Sequence, residues 1–187
     1  MNRAHLTLIL FPLVLVAAFA AAQDEDLPRR LEFTFGPRVG VSYVLASFQD
    51  FNDEVQTIFP DASREYIPIF TQFGLNLEQR IRLGSTRSHF AFQEVLLLGG
   101  LDQGIFLPSL TVLVGFRSRA GLEFGLGPNL SLKRDDADML NVGLAVAFSA
   151  GWTFSFSNVF VPVDLAFVPS PNGSRLSLLT GFNFEKR

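Results

Sequence analysis

Between positions 140 and 156 the chain reads LNVGLAVAFSAGWTFSF. Leu140, Val142, Leu144, Val146, Phe148, Ala150, Trp152, Phe154 and Phe156 alternate there with Asn141, Gly143, Ala145, Ala147, Ser149, Gly151, Thr153 and Ser155. Successive side chains of an extended strand point to opposite faces, whereas a helix would scatter these residues around its circumference. The stretch therefore predicts one long strand with a bulky apolar face and a small or polar one. The same period recurs in GLEFGLGPNLSLK (121–133), VFVPVDLAF (159–167) and RLSLLTGFNF (175–184). Four earlier segments, starting at Leu31, Ile67, His89 and Ile105, bring the count to eight. Glu94 breaks the apolar side of the third segment and predicts a bulge near Gln93. Pro68, Pro108, Pro128 and Pro162 each lack a ladder donor, so local distortions are expected there.

Period two does not say which face is outside; composition does. The chain is 48% hydrophobic and 18% charged, with 21 Phe and two Lys in 187 residues. A soluble lipocalin-like barrel would turn its Phe, Leu and Val inward and present Gly, Ala and Ser to water, with almost no Lys to keep it dissolved. The reverse arrangement places the bulky face against lipid and fills a narrow interior with the small and polar face. The expected fold is thus all-β: an eight-stranded antiparallel up-and-down transmembrane β-barrel, with a short helix in the first external loop. A net charge of -3 and the absence of a basic cluster argue against a nucleic-acid partner. With no Cys, thiolate metal sites and disulfides are excluded, and no cofactor is expected.

The first 22 residues read as a secretory signal peptide. Arg3 and His5 precede an apolar run of 14 residues, Leu6 to Phe19, that ends in Ala20, Ala21 and Ala22. A spanning helix needs roughly 20. Residues 23–30 then form an N-terminal periplasmic segment, 31–184 the barrel, and 185–187 a C-terminal overhang. Short connections at 84–88, 117–120 and 157–158 alternate with longer or more polar ones at 46–66, 99–104, 133–138 and 169–174. Short turns on one side and long loops on the other mark the periplasmic and external ends of an outer-membrane barrel. On this map Phe33, Phe35, Phe90, Phe92, Phe116, Phe124, Trp152, Phe154, Phe156, Phe182 and Phe184 gather at the periplasmic ends of the lipid faces, as an interfacial girdle does.

In this pattern, and in a last strand LLTGFNF with Phe182 and Phe184 in the places of a terminal aromatic signal, the chain resembles the small bacterial outer-membrane β-barrel proteins of the OmpA and OmpX type. The resemblance implies the cell outer membrane as location, outer-membrane lipid as surroundings and the barrel-assembly machinery as a partner that reads Phe182 and Phe184. Lipid A deacylases on similar barrels use a His and a Ser, but His89 maps to a periplasmic turn while lipid A sits in the outer leaflet, so no enzymatic activity is expected.

Several side chains could carry function. The inward positions include Glu32, Arg38, Glu78, Arg80, Arg82, Arg117, Glu123 and Asp164, a balance of acids and bases that predicts ion pairs in the lumen, with Arg38 and Glu78 as the leading pair. Such a set either closes the lumen with salt bridges or lines a gated path for small solutes or protons. In the 46–66 connection, Ser47 and Asp50 suggest a helix cap, and Phe51, Val55, Ile58 and Phe59 share one helical face before Pro60. That face serves either as a contact surface for an external ligand or partner, or as a lid on the barrel rim. His89 beside Ser88 reads as a solvated turn histidine, and the Asp135, Asp136, Asp138 run as a solvated loop without calcium-loop spacing. The expected function is a structural or surface-interacting barrel with a largely closed lumen. A small-solute channel, a lipid-modifying enzyme and a soluble ligand-binding barrel are the alternatives.

Overall fold

The computed structural model describes residues 31–59, 65–82, 88–134, 140–156, 159–171 and 173–185. The expected signal peptide at 1–22, residues 23–30, the aspartates at 135, 136 and 138, and the short turns at 84–87 and 157–158 lie outside them. The elements in chain order are β1 (Leu31–Leu45), α1 (Phe48–Ile58), β2 (Ile69–Arg82), β3 (His89–Gly99), a 3-10 turn (Leu101–Gln103), β4 (Leu107–Arg117), β5 (Leu122–Arg134), β6 (Leu140–Phe156), β7 (Val159–Val168), β8 (Ser174–Gly181) and β9 (Asn183–Glu185). All pairings are antiparallel: β1 to β8 pair in chain order, β9 continues beside β7, and β1 closes the sheet against β2 on one side and against β8 and β9 on the other. No helix among the described residues is long and apolar enough to cross a membrane.

The register fixes the shape. Leu31 stands opposite Ile81, and the same line continues through Phe90, Phe116, Phe124, Ala150, Leu165 and Leu178 before it returns to β1 at Val41, ten residues further up the strand. Eight strands closed with that offset tilt by about 40° and leave an interior that side chains can fill.

The β8–β9 break has a local cause. Phe182, the residue between them, faces Pro37 of β1, which has no N–H to give, and Gly181 faces Pro162 of β7 in the same register. Three consequences are visible. The Phe182 N–H still donates to Pro37 O at 3.3 Å, the Phe182 carbonyl turns in over Gly36, where any Cβ would collide with it, and Thr180 Oγ1 donates to the carbonyl of Pro162 at 2.9 Å. Register with β1 is the same on both sides of the break, so β8 and β9 together serve as the eighth strand. Pro128 likewise interrupts the β4–β5 ladder, which skips Val112 and Leu113. Pro108, in contrast, stays within an unbroken β3–β4 register.

The bulge expected near Gln93 is absent: β3 pairs without interruption with β2 and with β4. Glu94 keeps its alternation and stands on the outer face, opposite Leu77 and Val112. A continuous ladder on both sides outweighed the cost of one misplaced carboxylate.

The bulky face is outside. Leu144 is 66% exposed and Phe156 63%, while Ala147 and Thr153 on the alternate face are 2% and 4% exposed. The residues of the expected aromatic girdle all point outward near the end that carries Leu31 and Phe184. Polar side chains fill the inside, among them Gln72, Asn76, Asn129, Thr34 and Ser42.

Substitutions on neighbouring residues of β6 test this orientation. Leu144→Arg should lower folding stability in lipid vesicles by about 2–4 kcal/mol, and Ala145→Arg should block folding because the lumen has no room for it, whereas Ala145→Ser should fold as the parent does. A parent that folds without detergent or lipid, together with full tolerance of Ala145→Arg, would contradict the arrangement; urea titrations in vesicles read both.

Candidate functional site

The lumen is plugged by a network whose members come from six strands. Glu78 of β2 is at its centre. Its carboxylate accepts from Arg80 Nε at 2.9 Å and Nη2 at 3.2 Å, from Arg117 Nη2 at 3.4 Å, and from Asn183 Nδ2 at 3.1 Å, with Arg117 Nη1 in ion-pair contact at 3.0 Å. Arg117 of β4 reaches a second acid, Glu123 of β5, through Nε at 2.6 Å and through a close Nη2 contact. Glu123 also accepts from Thr153 Oγ1 of β6 at 2.8 Å. Arg80 lies over the Phe160 ring of β7, with its guanidinium carbon 4.3 Å from the ring centroid. Glu78, Arg80, Arg117 and Glu123 are all buried. An isolated ion in such a place would cost several kcal/mol, and the shared partners offset that cost.

Asp164 joins through a glycine. Glu123 of β5, Gly151 of β6 and Asp164 of β7 stand in one register line. A Cβ on Gly151 would strike the Asp164 carboxylate, so the bare Gly151 leaves the space that Asp164 occupies over β6.

The direct Arg38–Glu78 pair expected from the sequence is not formed. Arg38 Nη1 instead donates to Asn183 Oδ1 at 3.1 Å, and the same Asn183 donates to Glu78, so a neutral amide bridges the two charges. Sequence reasoning missed Asn183 because it sits in a strand placed beside β1 only by closure of the barrel. Arg82 pairs with Glu32 at the rim, where half of the Arg82 side chain is exposed. His89 is the first residue of β3, on the lumen-directed alternation opposite Arg82 and Arg117, rather than in the turn. Among the described residues no group of three or more His, Cys, Asp or Glu could hold a metal ion.

The opposite mouth is covered by α1. Ser47 caps the helix by accepting from Asp50 N at 3.1 Å, as the sequence suggested. Phe51 and Val55 are buried in one cluster with Val44, Tyr66, Phe70 and Ile105, and the Phe51 and Phe70 rings stack with centroids 6.3 Å apart. Phe59 packs at the edge of this cluster, and Ile58 is half-buried. Asn52 Oδ1 accepts from Tyr66 N at 2.9 Å, which ties the helix to the approach to β2. The 99–104 connection is tied down as well: Asp102 accepts from Thr71 N and Oγ1, and Gln103 bonds Ile67 and Ile69. Of the helical residues singled out for external contact, Phe51 and Val55 are thus spent on the lid.

Below the lid, Arg175 of β8 reaches across the lumen to Asn129 Oδ1 of β5 at 3.2 Å. Asn129 in turn donates to Thr111 Oγ1 at 2.7 Å, and Ser42 and Ser177 share a hydrogen bond of 2.6 Å.

No protein-family model matches the chain, and no curated protein matches it in sequence. Solved structures match in fold. The chain is similar to Ail, the attachment invasion locus protein of Yersinia pestis, at 11% identity and a TM-score of 0.51, over 86% of this chain and all of that one. Similarity extends to Neisserial surface protein A, at 11% identity over 81% of this chain and 96% of that one with a TM-score of 0.39. The N-terminal β-barrel domain of Pseudomonas aeruginosa OprF matches at 14% identity over 83% of this chain and all of that one, with a TM-score of 0.40. The fold is the closed eight-stranded barrel of small outer-membrane proteins.

The lumen network ranks its own members. Glu78→Leu strands Arg80 and leaves Arg117 with Glu123 as its one acid, and should cost about 3–5 kcal/mol in vesicle-based unfolding. Arg38→Leu removes a bond to a neutral amide and should cost less. In a double-mutant cycle, Arg117→Leu with Glu123→Leu should be less damaging than the sum of the two single changes; strict additivity would show that the pair is not coupled.

Proposed function

We propose that the protein is an integral outer-membrane barrel with a closed lumen, in a structural or surface-interacting role, reached by a cleaved signal peptide and folded by the barrel-assembly machinery with Phe182 and Phe184 as its terminal signal. The carrying observation is the pairing of an apolar, aromatic-girdled exterior with a lumen blocked twice. Glu78, Arg80, Arg117 and Glu123 fill it near the end that carries Leu31 and Phe184, and the α1 cluster covers the other end. The Leu31 end is the periplasmic one, which leaves α1 and the loops beside it outside the cell. Any ligand or partner would meet the outward faces of those loops, because the apolar side of α1 is turned into the barrel.

A conducting role would need both blocks to move, and a lipid-modifying role would need a reactive group near the outer leaflet. His89, beside Ser88, lies at the opposite end. Membrane fractionation should place the folded protein with outer-membrane markers, extracted only by detergent. Planar bilayers containing it should show no stepwise conductance, and lipid A from cells that express it should keep its mass. Steady ion conductance by the parent protein would replace this reading with the channel, and a lipid A mass change would replace it with the enzyme.

A further inference from the structure

One cation of the lumen has no acid of its own. Among the described inward residues, Glu32, Glu78, Glu123 and Asp164 are matched in number by Arg38, Arg80, Arg82 and Arg117, which leaves Arg175 as the excess charge. No described carboxylate forms an ion pair with it. On β7, the strand beside it, Asp164 stands four residues down from Val168, the residue opposite Arg175, or about 13 Å along the strand. A long cation next to an external loop ordinarily carries its head out into water. Arg175 is the second residue of β8, yet its Nη2 turns inward across the lumen to Asn129. Its Nε is buried without a hydrogen-bond partner among the described residues.

The layer around it is polar and closed off. Ser42 stands opposite Ser177, Gln72 lies two residues along β2 from Phe70, the residue opposite Ser42, and Ser109 and Asn129 belong to the same layer on β4 and β5. With the strand tilt included, these residues lie within about 5 Å of one another in height. Ser42, Gln72 and Asn129 are each 1% exposed or less, and Ser109 is 4% exposed, so bulk water does not reach them. Two of them have bonding capacity to spare: Gln72 Oε1 and Ser109 Oγ lack a hydrogen-bond partner among the described residues. Above, the cluster of Phe51, Val55 and Phe70 shuts the layer off from outside. Below, Val95, Leu113 and Leu179 separate it from the Glu78 network. Buried polar atoms in folded proteins nearly always find a partner, and a buried charge finds an opposite one.

We propose that this layer is a binding site for one small monovalent anion of chloride size, held by Arg175 and the Ser109 hydroxyl. The single excess guanidinium sets the valence, and enclosure from above and below favours a one-atom ion over a phosphate or a larger carboxylate. Arg175 Nε–H and Ser109 Oγ–H donate to it. The Ser42–Ser177 pair uses one hydroxyl hydrogen in its mutual bond and has a second to give. Gln72 offers an N–H after a half-turn of its amide, whose two ends are alike in shape. The inference needs the closed lumen, and not the lipid around the barrel.

Crystals of the parent protein grown in bromide should show one anomalous scatterer within hydrogen-bond distance of Arg175 Nε, and crystals of Arg175→Gln should lack it. In solution, chloride can replace gluconate at constant ionic strength while urea unfolding is followed in vesicles. The folded-to-unfolded ratio of the parent should rise about tenfold per tenfold rise in chloride once the site is mostly filled. Ser109→Val should need about tenfold more chloride for the same effect, and Arg175→Gln should show no rise. Arg82→Gln, at the rim where half of the Arg82 side chain is exposed, should respond as the parent does, which excludes a general anion effect. Parent stability that ignores chloride, or bromide crystals with only water beside Arg175 Nε, would overturn the proposal whatever the variants do.

Discussion

Closure of β1 against β8 and β9 is the constraint on which the rest of this molecule depends. An open sheet of this composition would leave a row of unpaired backbone groups in a surface meant for lipid, where no water can satisfy them. Closure removes the edges and at the same time defines an inside. Once the offset of ten residues is set, strand tilt, lumen width and the depth of every side chain follow. The break at Phe182 shows how strict the requirement is: two prolines take donors from the ladder there, yet β9 resumes in the same register and completes the ring.

A narrow inside then dictates its own chemistry. Side chains from facing walls meet, so charges that are distant in sequence must be compatible. Arg117 is shared between Glu78 and Glu123, Asn183 stands between Arg38 and Glu78, and the missing side chain of Gly151 makes room for Asp164. These are packing solutions as much as electrostatic ones, since each guanidinium fills the cross-section it neutralises. The same confinement explains the lid. The mouth at the α1 end is lined by Val44 and Phe70, whose apolar surface would face water without Phe51 and Val55 over it.

The outer face obeys the opposite rule, which makes its exceptions informative. A strand that pairs on both sides cannot rotate a single residue out of the pattern, so Glu94 stays where the alternation puts it.

The sequence by itself determined the strands, because period two is a property of the extended backbone and survives in any context. It also determined which face is outside, because 21 Phe with two Lys leave no other stable distribution between lipid and water. The α1 helix was legible from its Ser47 cap and its spacing of Phe51, Val55, Ile58 and Phe59. Three matters were decided only by tertiary structure: the Asn183 bridge, the lid role of Phe51 and Val55, and the unbulged path of β3 past Glu94. Each depends on which strands or loops become neighbours and at what height. That information resides in the shear of the closed barrel, which no local pattern of residues encodes.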